Sequence, residues 1–216
     1  MTTTTVYITR HGQTEWNVQG RMQGHLDSEL TELGVRQAQW LGEAMHDIPL
    51  DAVYASPSAR AVRTASLIVG DRNLDVHPAP EFMEMGFGEW EGRLSEELSE
   101  LYPEQHGYLW GDPDLFAVKG AETFAEVALR ARVKLEEIVA RHAGQTVLIV
   151  THTVVIKVLM AYLEGRGSKQ LWDLPYIHPT CLCRVDYRDG VAEVKLHGDI
   201  SHYRTEEQGE SGYGRR

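Results

Sequence analysis

Two stretches decide how this chain is read: TTVYITRHG, residues 4–12, and QTVLIVTHT, residues 145–153. In the first, β-branched and aromatic residues over 4–9 predict a strand, broken at once by Arg10, His11 and Gly12. In the second, the apolar run 145–150 has polar neighbours and predicts a buried central strand. Thr151-His152-Thr153 interrupts it before the apolar helix VVIKVLMAYL. A histidine therefore follows each strand directly. In a parallel α/β sheet both would emerge at the carboxyl edge, where such sheets place ligands.

Outward from these strands the pattern alternates. The stretch from Gln13 to about Ser28 is polar, glycine-rich and unpatterned, a length that usually carries a function. Thr31 can cap a helix whose inner face includes Ala38, Leu41 and Met45. Residues 50–55 read as a strand, and Ser56-Pro57 as the cap and first position of a helix running to Val69. Leu74 to His77 reads as a further strand. From Pro78 to Gly120 the periodicity breaks into short helices and loops, as expected of a cap over a site. Thr123 and Glu126 have capping-box spacing ahead of a long helix with Phe124, Val127, Ala131, Leu135 and Ile138 inward. Residues 181–186 and 191–196 suggest a hairpin around Arg188-Asp189-Gly190. Strands alternating with helices predict an α/β layer fold with helices on both faces of a mostly parallel sheet. One domain over 1–200 suffices, with residues 201–216 expected to form a flexible tail.

Composition bounds the function. The chain has 216 residues, 42% of them apolar. A chain of this size buries roughly 70% of the surface its unfolded form exposes, so neither metal nor disulfides are needed to build a core. Lys plus Arg is 21 against 32 Asp plus Glu, a formal charge of −11. That field repels nucleic-acid backbones and anionic membranes, although a small basic pocket remains compatible with it. The start lacks the pattern of a secretory signal, and no apolar stretch nears the ~20 residues that span a bilayer. Cys181 and Cys183 cannot make a disulfide framework and read as small packing residues, so a cytoplasmic protein is expected.

The candidate chemistry gathers at the strand ends. Arg10 adjoins His11, and Arg60 lies in the first turn of the helix beginning SPSAR, where free backbone N–H groups already favour an anion. Each residue also has an ordinary reading. Arg60 could pair with an acidic neighbour while Arg63 takes its role, Asn17 could form a turn, and Glu84 could be one acid on a solvated face.

The ordered blocks TRHGQTEWN (9–17), GRMQGHLDSELTELG (20–34), YASPSARAVRTA (54–65), FMEMGFGEWEG (82–92) and LIVTHT (148–153) resemble the histidine phosphatase, or phosphoglycerate mutase-like, superfamily. They look most like its short bacterial phosphatase branch. The resemblance implies a three-layer α/β/α sandwich with a mostly parallel mixed sheet and a small helical and loop cap at about 78–120. It implies His11 as the nucleophile that becomes phosphorylated, Arg10 and Arg60 as clamps on the phosphoryl oxygens, and His152 as the group completing the pocket. Asn17 would hydrogen-bond phosphate, Glu84 would act as general acid, and Gln23, Thr14 and Thr153 would add contacts. Thr153 stands where the family commonly has Gly or Ser, which bears on the fine shape of the pocket.

The implied activity is metal- and cofactor-independent hydrolysis of small phosphorylated metabolites, with broad specificity. The alternatives are phosphoglycerate mutase-type transfer and a non-catalytic phospho-ligand module. Met22, Met85, Trp90, Trp110 and Phe116 read either as apolar contacts to the leaving group or as packing of the cap.

Overall fold

The computed structural model describes residues 2–204. In chain order the strands are β1 (Thr4–Arg10), β2 (Ala52–Ala55), β3 (Val76–Pro78), β4 (Thr146–Thr151), β5 (Leu182–Arg188) and β6 (Val191–Asp199). The helices are α1 (Glu15–Gln19), α2 (Glu32–Ala44), α3 (Ala59–Val69), α4 (Ser95–Leu101), α5 (Pro103–Gly111), α6 (Phe124–Arg141) and α7 (Thr153–Leu163). The strands form one sheet in the order β3-β2-β4-β1-β5-β6. β3, β2, β4 and β1 are mutually parallel, and β5 runs antiparallel to both of its neighbours.

Strand alternation sorts the core into two layers. Val6, Ile8, Val147 and Ile149 pack on one face with Val127, Ala131 and Leu135 of α6 and Val155 and Leu159 of α7. Tyr7, Val53, Leu148 and Val150 pack on the other face with Leu41 of α2 and Ala61, Ala65 and Ile68 of α3. The result is a three-layer α/β/α fold with a mostly parallel mixed sheet. Residues 79–116 form a helical cap whose interior holds Phe82, Trp90, Leu98, Leu109 and Phe116, all buried. Of the two readings of the cap aromatics, Trp90 and Phe116 follow the packing one, whereas Trp110 is partly exposed.

Several boundaries differ from the sequence expectation. The helix after β2 starts at Ala59, with Ser58 at its N-cap. Ser56 does not cap it, because its N–H continues the sheet to the Val150 carbonyl and its hydroxyl meets His152. The unpatterned segment after Gly12 contains α1, closed by a reciprocal capping box between Thr14 and Asn17. Residues 201–204 are not loose. Tyr203 donates its hydroxyl to the Pro179 carbonyl and packs against Trp40, and Arg204 pairs with Glu43. The remainder of the expected tail lies outside the described residues. The closing hairpin turns on Asp189 and Gly190, both with positive φ (50° and 79°), as a twisted two-residue turn demands.

Backbone also meets backbone beneath the RHG turn. A Cβ on Gly34 would lie 2.0 Å from the Gln13 carbonyl oxygen, and one on Gly12 would lie 2.4 Å from that of Gly34. α2 is thereby seated directly under the segment carrying His11. Gly34→Ala is expected to destabilise the protein by about 2 kcal/mol or more, through forced overpacking. Gly107→Ala, on exposed α5 with open space at its Cβ, is expected to stabilise it by about 0.5–1 kcal/mol. Urea denaturation of the two variants checks the contrast; equal effects would mean that the Gly34 approach is not a constraint.

Candidate active site

The site follows from how β1 and β4 pair. They are adjacent and parallel, with Arg10 level with Thr151. The His11 N–H continues that ladder to the Thr151 carbonyl at 3.0 Å. The chain then leaves β1 toward α2 on one face and β4 toward α7 on the other, which opens a crevice at the carboxyl edge between them. His11 and His152 meet there, with ring centroids 5.2 Å apart.

His11 is 3% exposed. Its Nδ1 lies 2.7 Å from the Gly12 carbonyl oxygen. A carbonyl only accepts, so Nδ1 carries the proton and the neutral ring keeps its lone pair on Nε2. Burial, and then the positive charges of Arg60 and Arg10, hold this imidazole well below the ordinary histidine range, against the opposing pull of the Gly12 carbonyl. The same kinds of cause keep His152 neutral: burial first, then Arg60, His11 and Arg10. His152 Nε2 meets the Ser56 hydroxyl at 2.8 Å, while its buried Nδ1 has no protein partner among the described residues.

The two candidate arginines are both buried. Arg10 donates Nη1–H to the Ile177 carbonyl at 2.9 Å. Arg60, the second residue of α3, donates to the Gly24 and Leu26 carbonyls at 2.8 Å each and pairs with Asp27 at 3.0 Å. The acidic-neighbour reading of Arg60 is thus true in part, while Arg63 is exposed and plays no part in this cluster. The Nε atoms of both Arg10 and Arg60 are buried without protein partners, as is His152 Nδ1. Unmet donors on two guanidiniums around neutral imidazoles suit an oxyanion.

Glu84 closes the site from the cap. Its Oε1 accepts from the Met85 N–H at 2.9 Å, and its Oε2 from the Val154 N–H, in the first turn of α7, at 3.4 Å. Burial raises its pKa, outweighing those hydrogen bonds and the charges of Arg60 and Arg10. Arg130 on α6 sets its backbone, donating to the carbonyls of Glu81, Met83 and Glu84 at 2.7, 2.7 and 3.1 Å. The Thr151 hydroxyl donates to the Phe82 carbonyl at 2.7 Å, tying the end of β4 to the same segment.

The remaining candidates divide. Asn17 is buried and accepts the Thr14 N–H on Oδ1, which leaves its amide N–H groups unassigned. Thr14 accepts from the Asn17 N–H and donates to Gln23, and Gln23 donates to Ser28. These two side chains brace the loop in the conformation described. Thr153 is the first residue of α7 and half-buried. Sequence reasoning assigned Ser56 to a helix cap and passed over Arg130. The first carries a misleading Ser-Pro signal, and the second sits on a helix where a basic residue looks like ordinary solvent-facing polarity. A cavity of about 800 Å³ opens at the opposite end of the strands beside Thr4, Gly144 and Leu163, and no candidate residue lines it. No described helix is long and apolar enough to cross a membrane. No cluster of three or more His, Cys, Asp or Glu residues suited to a metal occurs among the described residues.

Known proteins resemble this chain over most of its length. The family model for the histidine phosphatase superfamily (branch 1) matches residues 6–200. Phosphoserine phosphatase 1 of Hydrogenobacter thermophilus is 37% identical over 165 residues, covering 76% of this chain and 78% of that protein. Adenosylcobalamin/alpha-ribazole phosphatase of Escherichia coli is 31% identical over 195 residues, 88% of this chain and 94% of that one. Among solved structures, Bacillus stearothermophilus YhfR superposes with a TM-score of 0.90 at 40% identity, covering 92% of this chain and 98% of that one. The chain belongs to the histidine phosphatase superfamily, and phosphoryl transfer of that type is its reaction class.

The tautomer can be checked directly. Imidazole nitrogen spectra at about pH 7 are expected to show His11 as the neutral Nδ1–H form. A doubly protonated His11 in the ligand-free protein at that pH would contradict the account of the site.

Proposed function

We propose that the protein hydrolyses small phosphate monoesters through a phosphohistidine on His11. The observation that carries this reading is the His11 ring itself: neutral, with Nδ1 tied to the Gly12 carbonyl and Nε2 free, beside two arginines with unmet Nε–H groups. A lone pair on nitrogen is the nucleophile that the first step requires.

In that step His11 Nε2 bonds to phosphorus as the bond from phosphorus to the leaving oxygen breaks. Protonated Glu84 delivers its proton to the departing oxygen. Arg10 and Arg60 donate to the phosphoryl oxygens, taking up charge as it shifts. His152, neutral beside Ser56, completes the cradle, with an amide donor from Asn17. Water then attacks phosphorus, the P–N bond breaks, and the Glu84 carboxylate accepts the water's proton. Phosphate leaves, and both groups return to their starting forms. A carboxyl raised by burial suits this double duty, since a dianionic ester beside it favours the protonated form further.

The range of leaving groups is proposed to be broad. The polar groups named above would serve the phosphoryl group rather than the leaving group, and Met83 beside Glu84 is half-buried, unbranched and adaptable, whereas Met85 packs in the core. Relatives named phosphoserine phosphatase and adenosylcobalamin/alpha-ribazole phosphatase are 37% and 31% identical to this chain.

Rapid acid-free quench with a labelled ester is expected to trap an acid-labile phosphoenzyme that His11→Ala abolishes; labelling retained in that variant would move the nucleophile elsewhere. Glu84→Gln is expected to slow alkyl phosphates at least about tenfold more than p-nitrophenyl phosphate, whose leaving group needs no proton. With 3-phosphoglycerate, phosphate release without 2-phosphoglycerate separates hydrolysis from mutase transfer.

The pH dependence has a definite sign. His11 must be unprotonated and its pKa is depressed, so the acid limb of kcat/KM falls below the ordinary histidine range of about 6.5. Glu84 must be protonated and its pKa is raised, so activity declines as pH rises through a value above the ordinary carboxylate range. An acid limb at or above an ordinary histidine value would count against His11 as the attacking base.

A further inference from the structure

Glu91 lies outside the groups around His11, yet its carboxylate is occupied by three backbone N–H donors. Oε1 accepts from His25 and Phe87 at 3.0 Å each, and Oε2 accepts from Leu26 at 2.9 Å. Two of these donors belong to the loop whose carbonyls hold Arg60. The connection runs through a single peptide unit. The C=O of Gly24 and the N–H of His25 are the two ends of one planar trans amide, pointing in opposite directions. Arg60 Nη2 donates to that carbonyl at 2.8 Å, and Glu91 Oε1 accepts from that N–H at 3.0 Å.

One rigid plate thus stands between a carboxylate and a guanidinium, with its dipole aligned to both charges. Each hydrogen bond polarises the amide in the sense that strengthens the other. The plate fits only because residue 24 is glycine. Its φ is +53°, and a Cβ there would lie 2.3 Å from Glu91 Oε1.

The donor count shows what this arrangement does for Arg60. Nη1 uses both protons, on the Leu26 carbonyl and Asp27. Nη2 uses one of its two on the Gly24 carbonyl. Nε uses none. The loop therefore holds the guanidinium and leaves an N–H on Nε and one on Nη2 available to a phosphoryl group. We infer that Glu91 is a positioning residue for phosphoryl recognition, acting through the Gly24–His25 peptide to aim the Arg60 guanidinium. It touches neither substrate nor reacting atoms. The inference rests on Arg60 gripping the phosphoryl group, as proposed above.

A double-mutant cycle read by orthovanadate inhibition tests it, with the melting temperature of each variant measured alongside. Glu91→Ala is expected to weaken orthovanadate about tenfold or more when Arg60 is present, the effect of one lost charge-assisted contact. In the Arg60→Ala background the same change is expected to cost less than about twofold, because there is nothing left to aim. Glu91→Gln keeps a carbonyl oxygen able to take the His25 and Phe87 N–H groups, so it is expected to recover most of the loss. Should Glu91→Ala fail to fold, Glu91→Met, which keeps the bulk of the side chain and offers the backbone N–H groups no oxygen, carries the same cycle. An equal loss in both backgrounds would reduce Glu91 to a packing residue of the cap and overturn the inference. If Arg60→Ala alone leaves orthovanadate affinity unchanged, the phosphoryl-clamp reading of Arg60 fails, and the role of Glu91 falls with it.

Discussion

The parallel pairing of β1 with β4 is the constraint on which the rest depends. Its register puts Arg10 beside Thr151, and one more ladder bond places the His11 backbone on the Thr151 carbonyl. Because the connections from the two strands leave on opposite faces, the histidine after each strand is left at the mouth of the same crevice. Nothing local to either histidine brings them together. A slip of one residue in this register would turn every side chain of β4 to the opposite layer, so the two-sided core that stabilises the sheet also holds the site in register.

The second theme is how positive charge is kept available in a chain of net charge −11. Arg10 and Arg60 are buried, and their fixed partners are mostly backbone carbonyls: Ile177 for Arg10, Gly24 and Leu26 for Arg60. A carbonyl dipole orients a guanidinium without neutralising it, whereas a full set of carboxylate partners would cancel the field an oxyanion needs. Asp27, the carboxylate that pairs with Arg60, is partly solvent-exposed. Burial, and after it the surviving field, keeps both histidines neutral. Glu84 shares that positive surrounding, yet its burial still raises its pKa. The opposite protonation requirements of the proposed nucleophile and the proposed acid are therefore met in one crevice.

Much of this was legible in the chain. The alternation of strands and helices, the capping box at Thr123 and Glu126, and the strand-ending histidines all depend on neighbours within a few residues, where local patterns carry information. The ordered motif blocks pointed to His11, His152, Arg10, Arg60 and Glu84 as a set. Ser56 was misread because Ser-Pro before a helical pattern is a strong local signal. Its hydroxyl is instead engaged by a histidine 96 positions away. Residues 201–204 looked like tail for a similar reason, since their contacts are to Trp40, Glu43 and Pro179, far off in sequence.

By itself, the sequence determined the α/β class, the positions of the main elements and the residue types able to handle a phosphoryl group. Those follow from periodicity, caps and side-chain chemistry, which are properties of short segments. Only the tertiary structure decided which nitrogen of His11 is free, that Arg60 rather than Arg63 faces inward, and that Glu84 is raised rather than lowered. It also decided that Glu91 and Arg60 share one peptide plane. Each of these turns on a backbone carbonyl, an amide or the exclusion of water at a given point. Backbone groups are the same at every position and leave no mark in the sequence, so their partners appear only when the chain is folded.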